Sequence, residues 1–431
     1  MKSRLGLAGL LLVALASFFG GGWLLRRGLD RAARGRRAPS ESPVMGSRLF
    51  QEVMRHVRSY AVDSLDEGAI YRLAASGMLD ELNDPYAALT TGDDDPNEVG
   101  EPPLGMYLDV LEGYVVVVAV RPGSPAAGAG VRSGDVVLSA NGSPVAAHGL
   151  GDLAKALAHP DAAPTHLRIV RGGGRAIRVT VPAGTVPDLP EPMATALGEG
   201  VVQIRPSDLG RAGLARVATL ADSAVRAGAR GLVLDLRDLV DGRLEDGVAL
   251  ASVFVPAGTV VAVRRGRQTG DSTPVRTDRD GAVLETPLVV LVDQGTAGAA
   301  EVAAGALQDL DRALVVGEPS FGRGSELSVF PLGDGSALRL TTAHWTTPVG
   351  RYLQRGLPTG TEDEEEDGES PERPTFRSTG GRELRGGGGV VPDREVARAR
   401  GEAGGDDAAL ALARSLLVKA ASTEALLALE P

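Results

Sequence analysis

The chain has 431 residues, 43% of them hydrophobic and 3% aromatic, no cysteine, and a formal net charge of −11. This length predicts two or three domains, and the lack of cysteine excludes disulfides, a thiol nucleophile and cysteine-ligated zinc. The acidic run Glu362–Glu369 holds seven carboxylates, which leaves a net charge of −4 elsewhere, so a basic surface for nucleic acid is not indicated.

The amino terminus contains an apolar segment, Leu5–Leu25, that has no charged residue and is flanked by basic residues. Its 21 residues, at about 1.5 Å each, suffice to cross a bilayer core of roughly 30 Å. The small-x-small sequence Ala14–Ala16 also fits a signal-peptide cleavage site. Residues 1–45 are therefore predicted to be a signal anchor or a signal peptide with a basic linker, and the length of the apolar run favours the anchor.

Residues 46–100 are predicted to form an N-terminal helical region. Apolar residues recur at helical spacing from Leu49 to Val57, and the helical pattern of the region reaches as far as Leu89. Its second segment runs from Asp66 to Leu82, before the Asn-Asp-Pro break at Pro85. Nothing in the region points to chemistry, so we expect it to serve in packing.

The character of the sequence changes over residues 101–185, where short strands alternate with glycine-containing turns. Four short motifs resemble those of a PDZ domain, and the resemblance spans the whole segment, which implies a β-rich, partly open barrel. The motifs are Ser124-Pro-Ala, Ala129-Gly-Val, Ser133-Gly-Asp and Asn141-Gly.

The PDZ resemblance implies a site for an extended peptide, which such domains take up as an added strand. The loop Leu104-Gly105-Met106-Tyr107 would hold the carboxyl terminus of the peptide, and Leu153 and Leu157 would form the floor of its pocket. The alternative is a packing module that binds nothing, and Pro102-Pro103 leaves the shape of the loop open.

Strand-like and helix-like patterns alternate over residues 190–395, which predicts an α/β core with a largely buried sheet. An acidic insert at 360–374 is predicted to be solvated and disordered, because it is a run of like charges. A calcium-binding stretch is the alternative, but the insert lacks the regular ligand spacing of a calcium loop. Residues 396–431 are predicted to form a C-terminal helix. The predicted strands of the core are VVQIRP, GLVLDLR, VVAVRRG, PLVVLVD, RALVVGE and ALRLTTA, and its predicted helices cover Leu209–Ala227, Leu244–Phe254 and Ala299–Leu310.

The segment Asp293–Asp309 has the layout in which hydrolases present a nucleophile beside backbone N–H donors, with a strand, a tight turn and then a helix. Together with GLVLDLR, RALVVGEPSFGRGS, GSALRLTTAHWTTPVGR and GGGGVVPD, it resembles the C-terminal processing peptidases. These are tail-specific serine proteases of family S41 that combine a PDZ domain with a serine–lysine site. The resemblance covers Ser47 to about Arg394 and implies a crotonase/ClpP-like α/β peptidase core with an inserted PDZ domain.

The resemblance also assigns the catalytic positions, and all three lack the required chemistry. The family turn Gly-Ser-Ala-Ser-Ala-Ser-Glu is here Gly-Thr-Ala-Gly-Ala-Ala-Glu, which places Gly298 at the nucleophile. The family lysine in Gly-Lys-Gly-Ser is replaced by Arg323, and the assisting glutamine by Leu327. Glycine has no oxygen with which to attack, and arginine, with a pKa above about 12, cannot accept a proton.

The resemblance also indicates a change in the oxyanion-binding segment, and few residues could replace the missing nucleophile and base. The family's Asn-Pro-Gly-Gly is altered so that Asp241 and Gly242 stand at the two glycine positions. No lysine lies within the core, since the three in the chain are Lys2, Lys155 and Lys419. A relocated site built from Thr296 or Ser325 with His344 is the remaining catalytic alternative.

The sequence therefore predicts a C-terminal-processing-peptidase-like protein that no longer cleaves, and that binds carboxyl-terminal tails or unfolded polypeptides as an adaptor or regulatory subunit. The alternatives are an active serine endopeptidase with relocated groups and a structural envelope protein. No cofactor and no metal are expected, and an active relative is a candidate partner. The family resemblance argues for export to the cell envelope, whereas arginines after Leu25 favour the cytoplasm by the positive-inside rule.

Overall fold

The computed structural model describes residues 43–62, 66–82, 84–91, 103–111, 113–145, 153, 157, 163–240, 242–268, 270–333, 335–355, 373–397 and 407–429. The apolar segment Leu5–Leu25, the acidic run Glu362–Glu369 and Asp241 lie outside these residues. The chain divides into two compact units, Met1–Gly77 and Met78–Pro431. No helix in the described ranges is both long and apolar enough to cross a membrane.

The first unit contains helix α1 (Pro43–Tyr60) and most of helix α2 (Glu67–Asp80). These helices agree with the two segments predicted from the spacing of apolar residues. Leu49, Phe50 and Val53 of α1 are each about half exposed. Met54 and Val57, on the same helix, are partly buried.

The second unit contains all of the strands in the described chain. The strands are β1 (Ala88–Thr91), β2 (Met106–Leu111), β3 (Tyr114–Val120), β4 (Val136–Ala140), β5 (Ser143–Pro144), β6 (Thr165–Val170), β7 (Ile177–Val181), β8 (Met193–Gly198), β9 (Val201–Arg205), β10 (Gly231–Asp235), β11 (Val260–Gly266), β12 (Ser272–Arg276), β13 (Leu288–Val292), β14 (Leu314–Gly317), β15 (Ser325–Pro331), β16 (Ser336–Thr346), β17 (Thr375–Arg377), β18 (Glu383–Arg385) and β19 (Arg394–Glu395). Its further helices are α3 (Pro125–Gly128), α4 (Arg211–Arg226), α5 (Leu244–Ala251), α6 (Ala299–Asp309), α7 (Ala408–Lys419) and α8 (Thr423–Leu427).

The PDZ-like segment is an antiparallel sheet in the order β2-β3-β4-β6-β7, with β5 paired to β4. Side chains alternate across strand β2, as the period of a strand requires. Met106 and Val110 enter the core of this sheet, whereas Tyr107 belongs to a second cluster with Ala297 and Phe321 of the α/β core. One face of β2 and β3 is therefore packed against the α/β core, beside the turn that precedes α6.

A short 3₁₀ turn, Pro103–Gly105, leads into β2 and depends on a glycine. Gly105 has φ +86°, and a Cβ on it would lie 2.2 Å from Ser124 Cβ. Gly113 has a similar φ of +80° but has nothing within 4 Å of its Cβ position. Comparing substitutions at Gly105 and Gly113 therefore distinguishes the cost of backbone strain from the cost of steric overlap.

Gly105→Ala is expected to lower the unfolding free energy by about 2–5 kcal/mol, because overlap with Ser124 adds to the strain of a left-handed backbone. Gly113→Ala should lower the unfolding free energy by only about 1–2 kcal/mol, the cost of the left-handed backbone alone. Chemical denaturation of the full chain measures both values. Equal losses at Gly105 and Gly113 would contradict the packing of the turn against Ser124.

The α/β core is a six-stranded sheet in the order β19-β14-β13-β10-β9-β8, parallel except for β8. Strands β10, β13 and β14 are completely buried, and helices lie on both of their faces. Helices α4, α5 and α6 pack on one face, and α7 with α8 on the other. The predicted α/β class is confirmed, and the uninterrupted apolar strands of the sequence reflect this burial on two sides.

Two predictions of secondary structure need correction. Leu89 falls in β1, not in a helix, and pairs with Leu338 of β16 after the break at Pro85. The C-terminal helix is two helices, because Ser422 caps a new one and accepts a hydrogen bond from the Ala425 N–H. Helix α7 packs on the sheet and forms an outer layer of the core.

A second sheet, in the order β1-β16-β11-β12, adjoins the core, and β15 pairs with β16. The antiparallel pairing of β15 and β16 sets Ser325 directly opposite His344. This register brings together two residues that are 19 positions apart in sequence. It also places the start of β15 next to the loop that carries Arg323.

Candidate functional site

The turn between β13 and α6, Asp293–Gly298, is held by buried hydrogen bonds. Asp293 Oδ1 accepts from the Asp238 N–H at 3.0 Å. Thr296 is completely buried, and its hydroxyl donates to Leu236 O at 2.9 Å while accepting from the Asp293 N–H at 3.0 Å. The Thr296 hydroxyl is committed to the backbone of the turn, which removes it as a substitute nucleophile.

Gly298 stands at the start of α6 with φ +63° and ψ −116°. Residues with a Cβ rarely adopt this conformation, but it is the kind of strained strand-to-helix turn that exposes a nucleophile in hydrolases. The nearest neighbour of a Cβ built on Gly298 would be Arg323 Cδ, at 4.0 Å. The turn thus has the backbone shape and the space for a side chain that the sequence does not supply.

Glu301, in the first turn of α6, is completely buried and accepts four hydrogen bonds. Its Oε2 accepts from the N–H groups of Gly298 at 3.0 Å and Arg323 at 2.7 Å. Its Oε1 accepts from the Gly322 N–H at 2.7 Å and the Ser320 hydroxyl at 2.5 Å. Burial raises the pKa of Glu301 to about 7, and the hydrogen bonds oppose that rise. Glu301 therefore fastens the loop of Arg323 to the turn of Gly298.

Arg323 points toward strand β2 of the PDZ-like sheet. Its Nε lies 3.6 Å from Asp109 Oδ2, which is an ion pair without a hydrogen bond. Asp109 is buried, and its Oδ2 has no hydrogen-bond partner among the described residues. The nearby phenol of Tyr86 is also buried, and burial together with the charge of Asp109 raises its pKa. The site therefore holds a permanent cation where the family resemblance places a base.

Leu327, at the position of the assisting glutamine, is a buried residue of β15. An amide is nevertheless present on the other side of the site, in Gln354. Its Oε1 accepts from the Gly324 N–H at 3.0 Å and from the Ser325 hydroxyl at 2.8 Å. Gln354 is not among the predicted site residues, because it lies 29 positions from Ser325 and no local pattern signals the contact.

Ser325 and His344 are the two polar groups that remain able to cooperate. Ser325 Oγ lies 3.2 Å from His344 Nδ1, and burial lowers the pKa of His344, which favours the neutral imidazole. The single hydroxyl hydrogen has two acceptors, because the Gly324 N–H orients Gln354 with its oxygen toward Ser325. Proton transfer to His344 therefore competes with a shorter hydrogen bond to Gln354.

The region assigned to the oxyanion is described only in part. Gly242 has φ +98°, and a Cβ there would lie 2.9 Å from Leu209 Cβ and 3.2 Å from Ala299 Cβ. Glycine is therefore required at this position by both backbone and packing. Asp241, its partner in the prediction, is outside the described residues.

A cavity of about 120 Å³ opens between these elements. It lies beside the turn of Gly298, the loop of Arg323 and the start of α5. Within the ranges that the structure describes, no group of three or more acidic or histidine side chains is arranged to hold a metal ion. The residues lining the cavity are Gly242, Arg243, Leu244, Glu245, Gly298, Arg323, Ser325 and Glu326.

The residues predicted to bind a peptide in the PDZ-like segment are buried. Leu104, Met106, Leu153 and Leu157 are each at most 6% exposed and share one apolar cluster. Tyr107 points to the opposite face, where Arg121 donates to its hydroxyl at 2.9 Å. In the described part of this segment, the four apolar side chains therefore pack on one another at the place predicted for a peptide side chain.

Comparison with known families agrees with this organisation. Residues 200–362 match the sequence model of peptidase family S41, and residues 116–171 match that of the PDZ domain. The carboxy-terminal-processing protease of Bartonella bacilliformis is 28% identical over 330 residues, which are 71% of this chain and 72% of that protein. The carboxyl-terminal-processing protease of Synechocystis sp. is 31% identical over 287 residues, or 64% and 66% of the two chains.

The carboxy-terminal processing protease CtpA of Bacillus subtilis is 26% identical over 302 residues, covering 68% of this chain and 62% of that protein. The chain thus spans less than two thirds of the length of some of these relatives. Among solved structures, the photosystem II D1 C-terminal processing protease matches with a TM-score of 0.62 at 24% identity, over 81% of this chain and 92% of that one. That likeness concerns the fold. The chain carries a peptidase S41 domain and a PDZ domain, and it is similar to carboxy-terminal processing proteases.

Proposed function

We propose that this chain binds polypeptides without cleaving them. The observation that carries the proposal is the pair formed by Gly298 and Arg323, which lie together where the family resemblance places a nucleophile and its base. Glycine supplies no attacking atom, and a guanidinium remains protonated at any working pH. The Thr296 hydroxyl, which could stand in for the nucleophile, donates to Leu236 O inside the turn.

The proposed ligands are carboxyl-terminal tails or unfolded polypeptides. Several curated relatives are carboxy-terminal processing proteases, and PDZ domains take extended peptides as added strands. Strand β2 is an edge strand of the described sheet, so it offers backbone groups to such a peptide. Ligand binding at β2 requires the closed apolar cluster around Met106 to open.

The proposed role is that of an adaptor or regulatory subunit beside an active relative in the cell envelope. The support for the envelope is the uncharged segment Leu5–Leu25, which suits a membrane anchor or an export signal. An inactive relative that retains its peptide-binding surfaces can hold a tail for a second enzyme. This role requires that the chain binds peptides and does not cleave them.

The full chain, purified in mild detergent, is expected to bind fluorescent peptides with free apolar carboxyl termini and to produce no fragments from them. Fluorescence anisotropy measures binding, and mass spectrometry of the same samples after a day detects cleavage. Unfolded protein substrates are treated in parallel. Cleavage at a defined bond would contradict the proposal, and absence of both binding and cleavage would favour a structural role.

A second candidate function is hydrolysis by a relocated site, favoured by the 3.2 Å contact between Ser325 and His344. Ser325→Ala is its matched control, since the variant removes the only hydroxyl of this pair. If cleavage occurs and Ser325→Ala abolishes it, the relocated site is responsible. If neither protein cleaves, the contact is structural, as expected from the competing hydrogen bond to Gln354.

A further inference from the structure

The cavity beside Gly298 combines an open space with a cation. Its volume of about 120 Å³ lies beside Gly298, where the nearest neighbour of a Cβ would be Arg323 Cδ at 4.0 Å. A water molecule takes up about 30 Å³ in the liquid, so the space holds a group considerably larger than one water. The Arg323 side chain lines it and is 23% exposed, so part of this side chain is open to a ligand.

Among the described residues, the Arg323 side chain has one ion pair and no hydrogen bond. Asp109, at 3.6 Å from Nε, takes part in an ion pair but accepts no hydrogen bond from the guanidinium. A guanidinium presents its donors in a planar fork that matches a carboxylate, and such two-point pairs are among the stronger hydrogen bonds in proteins. Lysine, the residue expected from the family resemblance, is a point charge without this geometry.

The other charged residues around the cavity do not prevent an anion from binding in it. Glu326 is held by Arg264 through two hydrogen bonds of 2.7 and 2.8 Å, so its charge is compensated. Arg243 and Glu245 are exposed and of opposite sign. Asp109 is then the one negative group within ion-pair distance of Arg323 in the described part of the chain, and it competes directly with any bound carboxylate.

We propose that this cavity binds the free α-carboxylate of a polypeptide, with Arg323 as its charge partner. The inference rests on the proposed function, which it makes more specific. The carboxyl terminus of a captured tail lies in the former catalytic cleft beside Gly298, rather than in the closed loop of the PDZ-like segment. Gly298 supplies the space, and Arg323 supplies the charge and the hydrogen bonds.

The test uses the full chain and two peptides of identical sequence, one with a free carboxylate and one with a carboxamide. The free acid is expected to bind at least about 10-fold more tightly, the usual contribution of hydrogen bonds to a charged group. Arg323→Gln should abolish this preference without changing the affinity for the amide. Arg323→Lys, which keeps the charge but loses the fork, should retain part of it.

Asp109→Asn provides a change of opposite sign. The asparagine keeps an oxygen to accept the Val110 N–H, which Asp109 Oδ1 accepts at 2.7 Å, but it removes the charge that competes for Arg323. The free acid should therefore bind several-fold more tightly to this variant, again with no change for the amide. If Arg323 and Asp109 only support the structure, their substitution should lower the affinity for both peptides by the same factor.

The outcomes separate this inference from the function on which it rests. If both peptides bind equally well, or if Arg323→Gln retains the preference for the free acid, the carboxylate is bound elsewhere and the inference is wrong. Binding without cleavage still stands in that case. If neither peptide binds, or if the peptides are cleaved, the proposed function itself fails.

Discussion

Replacing Gly298 by serine and Arg323 by lysine together is expected to create a proteolytic activity that neither substitution creates alone. The turn already has φ +63° and ψ −116° at Gly298, and a Cβ there would face Arg323 at 4.0 Å. A serine would therefore project toward residue 323. With arginine at that position no group can take its proton, and with glycine at 298 a lysine has nothing to activate.

The double variant should cleave an unfolded substrate roughly 10²–10⁴-fold faster than Gly298→Ser, which is the usual contribution of a positioned general base. Asp109, 3.6 Å from Arg323 Nε in the present structure, works against this gain, because a nearby carboxylate favours the protonated lysine. Adding Asp109→Asn should therefore increase the rate further at neutral pH. Adding Leu327→Gln should help to orient the lysine.

Fragment production measured by mass spectrometry gives the rates, and the two single variants are the matched controls. Gly298→Ser should also lose about 1–3 kcal/mol of stability, because a residue with a Cβ is strained at this φ and ψ. A folded double variant that stays inactive even with Asp109→Asn and Leu327→Gln added would point to the altered oxyanion region, around Gly242, as the remaining obstacle to catalysis. Activity of Gly298→Ser alone would contradict the assignment of Arg323 to the position of the base.

Much of this architecture follows from patterns in the sequence. The apolar runs of β10, β13 and β14 predict strands buried on both faces, and the structure confirms them. The helix over Ala299–Asp309 follows from small and apolar residues after a glycine turn. These features depend on local periodicity and burial, both of which can be read from a single chain.

The contacts that decide the chemistry of the site could not be predicted in this way. Asp109 lies in the PDZ-like segment and reaches Arg323 only because β2 packs on the α/β core. The Ser325–His344 pair depends on the register of β15 and β16, and Gln354 approaches Ser325 from a separate loop. Each contact joins residues distant in sequence, so local patterns carry no information about it.

Glu301 is a different case, because a local signal was present. An acidic residue in the first turn of a helix is a capping signal, and Glu301 does accept from the Gly298 N–H. What the sequence does not reveal is that the same carboxylate also accepts from Gly322 and Arg323. The buried Glu301 carboxylate therefore caps α6 and also links the turn of Gly298 to the loop of Arg323.

Glu301→Gln is therefore expected to destabilise the chain strongly, by about 3–5 kcal/mol, the range found when one partner of a buried charged network is removed. All four neighbours of the carboxylate are donors, so the NH₂ of a glutamine would face backbone N–H groups and leave them unsatisfied. With an unfolding entropy of about 2.1 cal/mol/K per residue, a chain of 431 residues loses roughly 1 °C per kcal/mol, so the midpoint of thermal unfolding should fall by about 3–6 °C.

Glu285→Gln, an exposed substitution of the same kind, is the matched control and should change the midpoint little. The pH dependence separates the charge of Glu301 from its shape. Burial raises the pKa of Glu301 to about 7, so the folded state holds a proton that the unfolded state releases near 4.5. The stability of the natural chain relative to Glu301→Gln should thus be greatest below about pH 4.5, fall as the pH rises from there through the folded-state pKa near 7, and be level above it. A difference between the two proteins that does not vary with pH would mean that Glu301 acts through packing alone and that its titration plays no part in holding Arg323 in place.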